Sequence, residues 1–310
     1  REKIFSLLYK GFSISKIARE LDRHKSTIGR EIKRCCDDDL GYLPDRAHAQ
    51  YKEKLSRNKA LFLDSELQKI VIAHLTEDRW SPEQISGRLK RLKSPKQVST
   101  ETIYKFIYSD IGLELKLPTY LKQRRKKRGF RKSRKHPKSR IPDLVSIKER
   151  PKSIQSRKRF GHWEGDLVIY STTGMSNITS IVERKTRFTK IIANQSKRTD
   201  EVIGGINQAF THHRKALKSI TFDRGTEFTS HSKLKTKTFF CDPASPWQKG
   251  SVENTNSRIR TLMPKIKTPK IITQKYVDQV ADILNNTPRK KLGFKTPQEE
   301  FQANLKMTPT

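Results

Sequence analysis

Acidic residues are scarce in this 310-residue chain: 32 Asp and Glu stand against 67 Lys and Arg, a formal net charge of +35. That excess is far beyond what solubility requires and predicts a polyanionic partner held by counterion release, nucleic acid first. Long apolar runs are also missing. No stretch of about 18 apolar residues occurs and no lipidation signal is visible, so membrane attachment is not expected. Cysteine is rare: Cys35, Cys36 and Cys241 form neither an even framework nor a CxxC pair, which argues against a disulfide scaffold and a zinc finger. No Walker loop, HExxH or nucleophile elbow is present, so a nucleotide cofactor, zinc proteolysis and serine hydrolysis have no support. A charged-then-apolar leader is absent too, and the expectation is a cytoplasmic protein.

The length predicts two or three domains. In residues 1–58, Ile4, Leu7 and Leu8 form one helical stripe, Ile14, Ile17, Ala18 and Leu21 a second, and Ile28 and Ile32 a third. Ser13 is a candidate N-cap, Asp22 to Lys25 make a tight turn and Ser26 can cap the third helix. This is helix-turn-helix spacing, which would place His24, Lys25, Ser26, Thr27 and Arg30 at base edges in the major groove. A small helical bundle with a solvated basic face is the alternative. The arrangement repeats in residues 59–121, with helices over 66–77, from Pro82, and from Ser99 to Tyr108. There Ser99, Thr100, Thr102 and Lys105 would face DNA, with Ile103, Phe106 and Ile107 in the core.

Residues 122–159 read as a linker that opens with the basic run 122–140. Its Arg124, Arg125, Lys126, Lys127, Arg128 and Arg131 are expected to track phosphates.

In residues 160–310 the pattern changes to short apolar strands over 166–170, 177–182 and 188–193, a helix from Thr199 to about Leu217, strands over 219–223 and 238–241, a helix from about Trp247 to Leu262 and a last one over 276–284. The order predicts an RNase H-like α/β domain with a mixed five-stranded sheet behind the all-α units. In that topology Asp166 on the central strand and Asp223 on the strand beside it become neighbours, and a helix on the same edge can present Glu253. Three carboxylates so close repel unless cations neutralise them. Oxygen-only ligands suit Mg²⁺ or Mn²⁺, and two such ions about 4 Å apart suit phosphodiester transfer. Each acid taken alone is more often a capping or solvent-facing residue than a ligand.

The surrounding segments narrow this. His162-Trp-Glu-Gly-Asp166, Phe222-Asp-Arg-Gly-Thr-Glu-Phe228, the run from Cys241 through Trp247-Gln-Lys-Gly-Ser-Val-Glu253 to Asn256, and Leu284 to Phe301 closely resemble IS30-family transposases. By that resemblance Asp166, Asp223 and Glu253 are the catalytic, metal-binding trio, with two Mg²⁺ or Mn²⁺ ions, and Asn256 is a supporting residue or a surface amide. The resemblance also implies a bacterial, nucleoid-associated enzyme. It would bind terminal inverted repeats, cleave DNA and transfer the freed 3′-OH to target DNA as a homodimer or larger assembly. The rival is a catalytically silent, transposase-derived repressor. A retroviral-type integrase ranks lower, because no His/Cys zinc spacing occurs before residue 60. Asp223 and Glu253 have only 29 residues between them, a few fewer than the family's usual spacing, so the resemblance implies a shortened segment around 231–237 and puts in doubt any helix there. Glu164 reads as supporting, Glu227 as stabilising its turn, and Trp163 and Trp247 as core. Lys249, Arg258 and Arg260 read either as phosphate contacts or as a solvated face.

Overall fold

The computed structural model describes residues 1–37, 41–57, 64–121, 141–170, 177–243, 245–263 and 272–308. The basic run 122–140, and with it Arg124, Arg125, Lys126, Lys127, Arg128 and Arg131, lies outside the described residues.

Three helices, α1 (Glu2–Tyr9), α2 (Ile14–Glu20) and α3 (Lys25–Cys35), form the first unit. Their stripes meet as expected: Ile4, Ile17, Ala18 and Ile28 are buried, with Leu7, Leu8, Leu21 and Ile32 packed against them. Ser13 caps α2, its Oγ accepting from the Lys16 amide. The cap of α3 differs from expectation. His24 Nδ1 accepts the Ser26 amide at 3.2 Å, because α3 already begins at Lys25 and Ser26 sits inside its first turn. The stretch read as a connector also closes this core. A two-residue ribbon, β1 (Cys36–Asp37) and β2 (Gly41–Tyr42), leads into α4 (Pro44–Arg57), and Tyr42 and Ala47 are buried against the first three helices.

The second unit comprises α5 (Ser65–Thr76), α6 (Pro82–Arg91), α7 (Thr100–Ile107) and the short α8 (Asp110–Glu114). Asp64 caps α5 through the Glu66 and Leu67 amides, and Ser81 with Gln84 forms a capping box on α6 behind Pro82 at the first turn. Ile103, Phe106 and Ile107 are fully buried among Leu67, Val71, Leu75 and Ile85.

The third unit is built on a five-stranded sheet of order β5-β4-β3-β6-β7: β3 (His162–Ile169), β4 (Asn177–Glu183), β5 (Thr189–Asn194), β6 (Ser219–Phe222) and β7 (Lys237–Phe240). β4 runs antiparallel to both β3 and β5, and β6 and β7 run parallel to β3. This is the mixed sheet of an RNase H-like fold, with β3 at its centre. The helix expected from Thr199 to Leu217 ends earlier, as α10 (Thr199–Ala209), and a 3₁₀ stretch over Thr211–Ala216 completes the return. Between β6 and β7 the chain makes only 3₁₀ turns, Thr226–Phe228 and His231–Lys233. Behind β7 come α11 (Gly250–Leu262), α12 (Gln274–Asn286) and α13 (Pro297–Lys306).

One boundary moves. Residues 141–159, read as the end of the linker, belong to the third unit: Ile141, Ile147 and Ile154 are buried, Ser146 bridges Phe240, and the Phe240 amide donates to the Val145 carbonyl at 2.9 Å. The stretch around Val145 and Ser146 thereby covers the edge of β7 that would otherwise offer unpaired backbone groups, and the short α9 (Lys152–Gln155) follows it. Helix α13, expected only as a motif tail, places its Phe301 fully buried in the main core.

The second unit docks on the third through α6. Gln84 donates to the Pro288 carbonyl at 2.8 Å, Arg88 pairs with Glu299 through both terminal nitrogens, Arg91 reaches the Gly293 carbonyl at 3.0 Å and Lys290 pairs with Glu83 at 2.5 Å. Gly87 is the notch in this contact: a Cβ there would lie 2.2 Å from the Phe294 ring. Gly87→Ala is therefore expected to favour α6 itself by up to about 1 kcal/mol while overpacking the contact by roughly 1–3 kcal/mol. Small-angle scattering should read a larger radius of gyration for the variant. An unchanged value would show that the contact does not hold the two units together.

Candidate active site

The motif around β3 divides its labour residue by residue, because alternate side chains of a strand face opposite ways. Trp163 is fully buried and donates its ring N–H to the Ala216 carbonyl at 2.6 Å. His162 shares a 2.8 Å hydrogen bond with Ser219 on the neighbouring β6, and burial pushes its imidazole pKa down to about 4. Gly165 leaves space for Phe222, whose ring would lie 2.5 Å from an added Cβ. Glu164 is fully buried; one carboxylate oxygen accepts from Arg184 Nε at 2.9 Å, and the other from the Ser251 and Val252 amides at 2.8 and 3.1 Å. These amides open α11, so Glu164 both satisfies otherwise unpaired helix donors and pins α11 to the central strand.

Asp166 follows on β3, opposite Ser180 of β4. Its Oδ1 receives Lys249 Nζ at 2.8 Å and its Oδ2 receives Asn256 Nδ2 at 2.6 Å. Asn256 Oδ1 in turn accepts from Ser180 Oγ at 2.6 Å, and the residue is only 2 % exposed, which overturns its reading as a surface amide. Asp223 lies just past the end of β6, with its Oδ2 3.2 Å from the same Lys249 nitrogen, while its Oδ1 is buried without a hydrogen-bond partner. Lys249 also donates to the Gly165 carbonyl at 3.2 Å and is 7 % exposed, so neither a solvated face nor a free phosphate contact describes it.

The electrostatics follow from this geometry. Burial opposes the charge on Lys249, but Asp166 and Asp223 outweigh it and its pKa is raised. Burial pushes the Asp166 carboxyl up, Lys249 pulls it back and Asp223 adds to the rise. Glu227 is likewise pushed up by burial, with Asp223 and Asp166 adding to it, so its carboxyl feels the site as well as the turn it was assigned to. It lies over Gly225, where a Cβ would come 2.5 Å from the carboxyl carbon.

Of the expected trio, the structure brings together two. Glu253 is in the first turn of α11 with its side chain exposed, and among the described residues no group of three His, Cys, Asp or Glu side chains is placed to hold a metal ion. Asp166 and Asp223 nevertheless fit a cation, since both already converge on one and Asp223 Oδ1 has no other partner.

Ser180 was not singled out, and Lys249 was read as a phosphate contact or a solvated lysine instead of a partner of the acids, although it stands four residues, about one helical turn, before Glu253. Trp247, expected in the core, is 72 % exposed. The turn that places Lys249 inward, Pro246–Lys249, leaves that ring outside.

The residues expected to read DNA in the first unit, His24, Lys25, Ser26, Thr27 and Arg30, are all exposed at the start of α3. In the second, Ser99 and Lys105 are exposed and Thr100 and Thr102 half-buried. Ser99 spends its hydroxyl on the Thr102 amide and hydroxyl, so it acts first as the cap of α7. No described helix is long and apolar enough to cross a membrane.

Residues 1–35 match a family model described as a helix-turn-helix domain. Over nearly the whole chain, the sequence is 39 % identical to the transposase InsI for insertion sequence element IS30A of Escherichia coli, covering 99 % of this chain and 83 % of that protein. It is 35 % identical to the transposase for insertion sequence element IS1086 of Cupriavidus metallidurans, covering 96 % and 91 %. A solved structure, the catalytic core domain of BIV integrase, is similar over 48 % of this chain and 98 % of its own at 18 % identity, with a TM-score of 0.37. With relatives this similar along nearly all of its length, the chain belongs to the IS30 family of transposases.

Proposed function

We propose that this protein binds the terminal inverted repeats of an insertion sequence, cuts DNA there and joins the freed 3′-OH to target DNA, at a site formed by Asp166, Asp223 and Glu253. The observation that carries the reading is the convergence of Asp166 and Asp223 from neighbouring strands on one buried cation position. Mg²⁺ or Mn²⁺ held by these oxygens, two ions per site, would supply activation of the attacking oxygen and stabilisation of the leaving oxygen. The chain's own residues prepare the site. Asn256 orients the Asp166 carboxylate, Ser180 orients Asn256, and Glu164 fixes the helix that carries Glu253 against the strand that carries Asp166. The exposed start of α3 and the Ser99 to Lys105 stretch of α7 would read element ends, and the basic run 122–140 would follow phosphates. Joining two ends calls for a dimer or larger assembly on double-stranded DNA.

The test is cleavage of DNA carrying the element's terminal repeats in Mg²⁺. Outer-shell substitutions at metal sites cost about 10–100-fold, so Asp223→Asn, a ligand change, is expected to lower nicking by on the order of 100-fold or more while leaving end binding intact. Equal, negligible nicking by both proteins would leave a DNA-binding repressor as the function.

A further inference from the structure

Lys249 holds more of this site than a solvated basic residue should. An ammonium has three N–H donors and no acceptor. Its Nζ donates to Asp166 Oδ1 at 2.8 Å and to the Gly165 carbonyl at 3.2 Å, and forms an ion pair with Asp223 Oδ2 at 3.2 Å. A fourth acceptor, Asp223 Oδ1, is buried at the same place and receives nothing. The charges are equally unbalanced, with one positive group between two carboxylates and the Glu227 carboxyl close enough to feel both. A site with more acceptors than an ammonium can serve, and more negative charge than it can neutralise, suits a divalent cation of higher coordination number.

We propose that Lys249 is a built-in substitute for the metal: it keeps Asp166 and Asp223 together in the metal-free protein, and a divalent ion binds by displacing it. This rests on the metal reading proposed above. The location allows the exchange. Lys249 closes a single 3₁₀ turn, Pro246–Lys249, whose outer side carries the exposed Trp247, so the side chain can leave without unpacking α11, which Glu164 holds separately. Displacement lowers apparent metal affinity by the fraction of time the site stands open, so a site open about one time in ten binds about tenfold more weakly.

Two measurements on the full chain test this. Lysine acylation read by mass spectrometry should find Lys249 protected without metal and, on saturation with Mn²⁺, at least about tenfold more reactive relative to an exposed lysine such as Lys233. Thermal melting should show Lys249→Met less stable than the parent without metal and half-saturated by Mn²⁺ at on the order of tenfold lower concentration. If Mn²⁺ stabilises the parent saturably while Lys249 stays protected, the displacement idea is overturned and the metal site stands. If Mn²⁺ shifts the melting of neither protein, both readings fall. The acylation result decides the matter even where Lys249→Met does not fold.

Discussion

Glu164→Ala is expected to cost about 3–5 kcal/mol of stability, the range for breaking a buried ion pair from one side. Glu164 is fully buried and its partner Arg184 is 3 % exposed, so the substitution strands a guanidinium in the interior with the Ile154 carbonyl as its other acceptor. It also uncaps α11 by removing the acceptor of the Ser251 and Val252 amides. Chemical denaturation followed by near-UV circular dichroism reads the loss as a lower midpoint with unchanged slope. A double-mutant cycle separates the parts: Glu164→Ala with Arg184→Leu should recover some of the loss, since no charge is then left unpaired. A cost for Glu164→Ala below about 1 kcal/mol, the level of a solvent-screened pair, would show that this pair is not buried in solution. Because α11 carries Glu253 and comes directly after Lys249, strand cleavage should fall with the helix anchor even where the fold survives.

A second large effect is expected at the far end of the chain. Phe301→Ala should destabilise the protein by about 3–5 kcal/mol, through lost apolar burial and the cavity left behind. The Phe301 ring stacks on Phe188 at 4.1 Å and meets Phe160 and Trp163 edge-on at 5.3 and 5.9 Å, so it joins the last helix to three parts of the core. Phe301→Leu keeps most of the volume and should cost less than about 1.5 kcal/mol. If alanine and leucine are equally mild by the same denaturation assay, α13 is not integral to the third unit.

Local signals in the chain reach only so far, and these two positions mark the limit. Helices α2, α5, α6 and α7 are legible in the sequence because their signals are local: an apolar repeat, a capping Ser, and Pro82 at a first turn act within a few residues. The five strands are legible as well, to within a few residues at their ends. Phe301 is not, since nothing in the sequence near it says that a short amphipathic tail packs on Trp163, 138 positions earlier. The same limit hides the boundary at Ile141, where a strand edge far along the chain decides that the segment is structural.

The sequence alone determined the large positive charge, the helix-turn-helix spacing of residues 1–35, the order of the five strands and the two acids, Asp166 and Asp223, at the ends of adjacent ones. The tertiary structure decided what those acids meet. Asp166 and Lys249 stand 83 residues apart, and only the register of β3 against β6 together with the anchoring of α11 brings them to 2.8 Å. The same packing buries Asn256, exposes Trp247 and leaves Glu253 in solvent. Local propensity acts over one turn or one pleat, whereas the balance of buried charge is set by whichever side chains the finished fold encloses together.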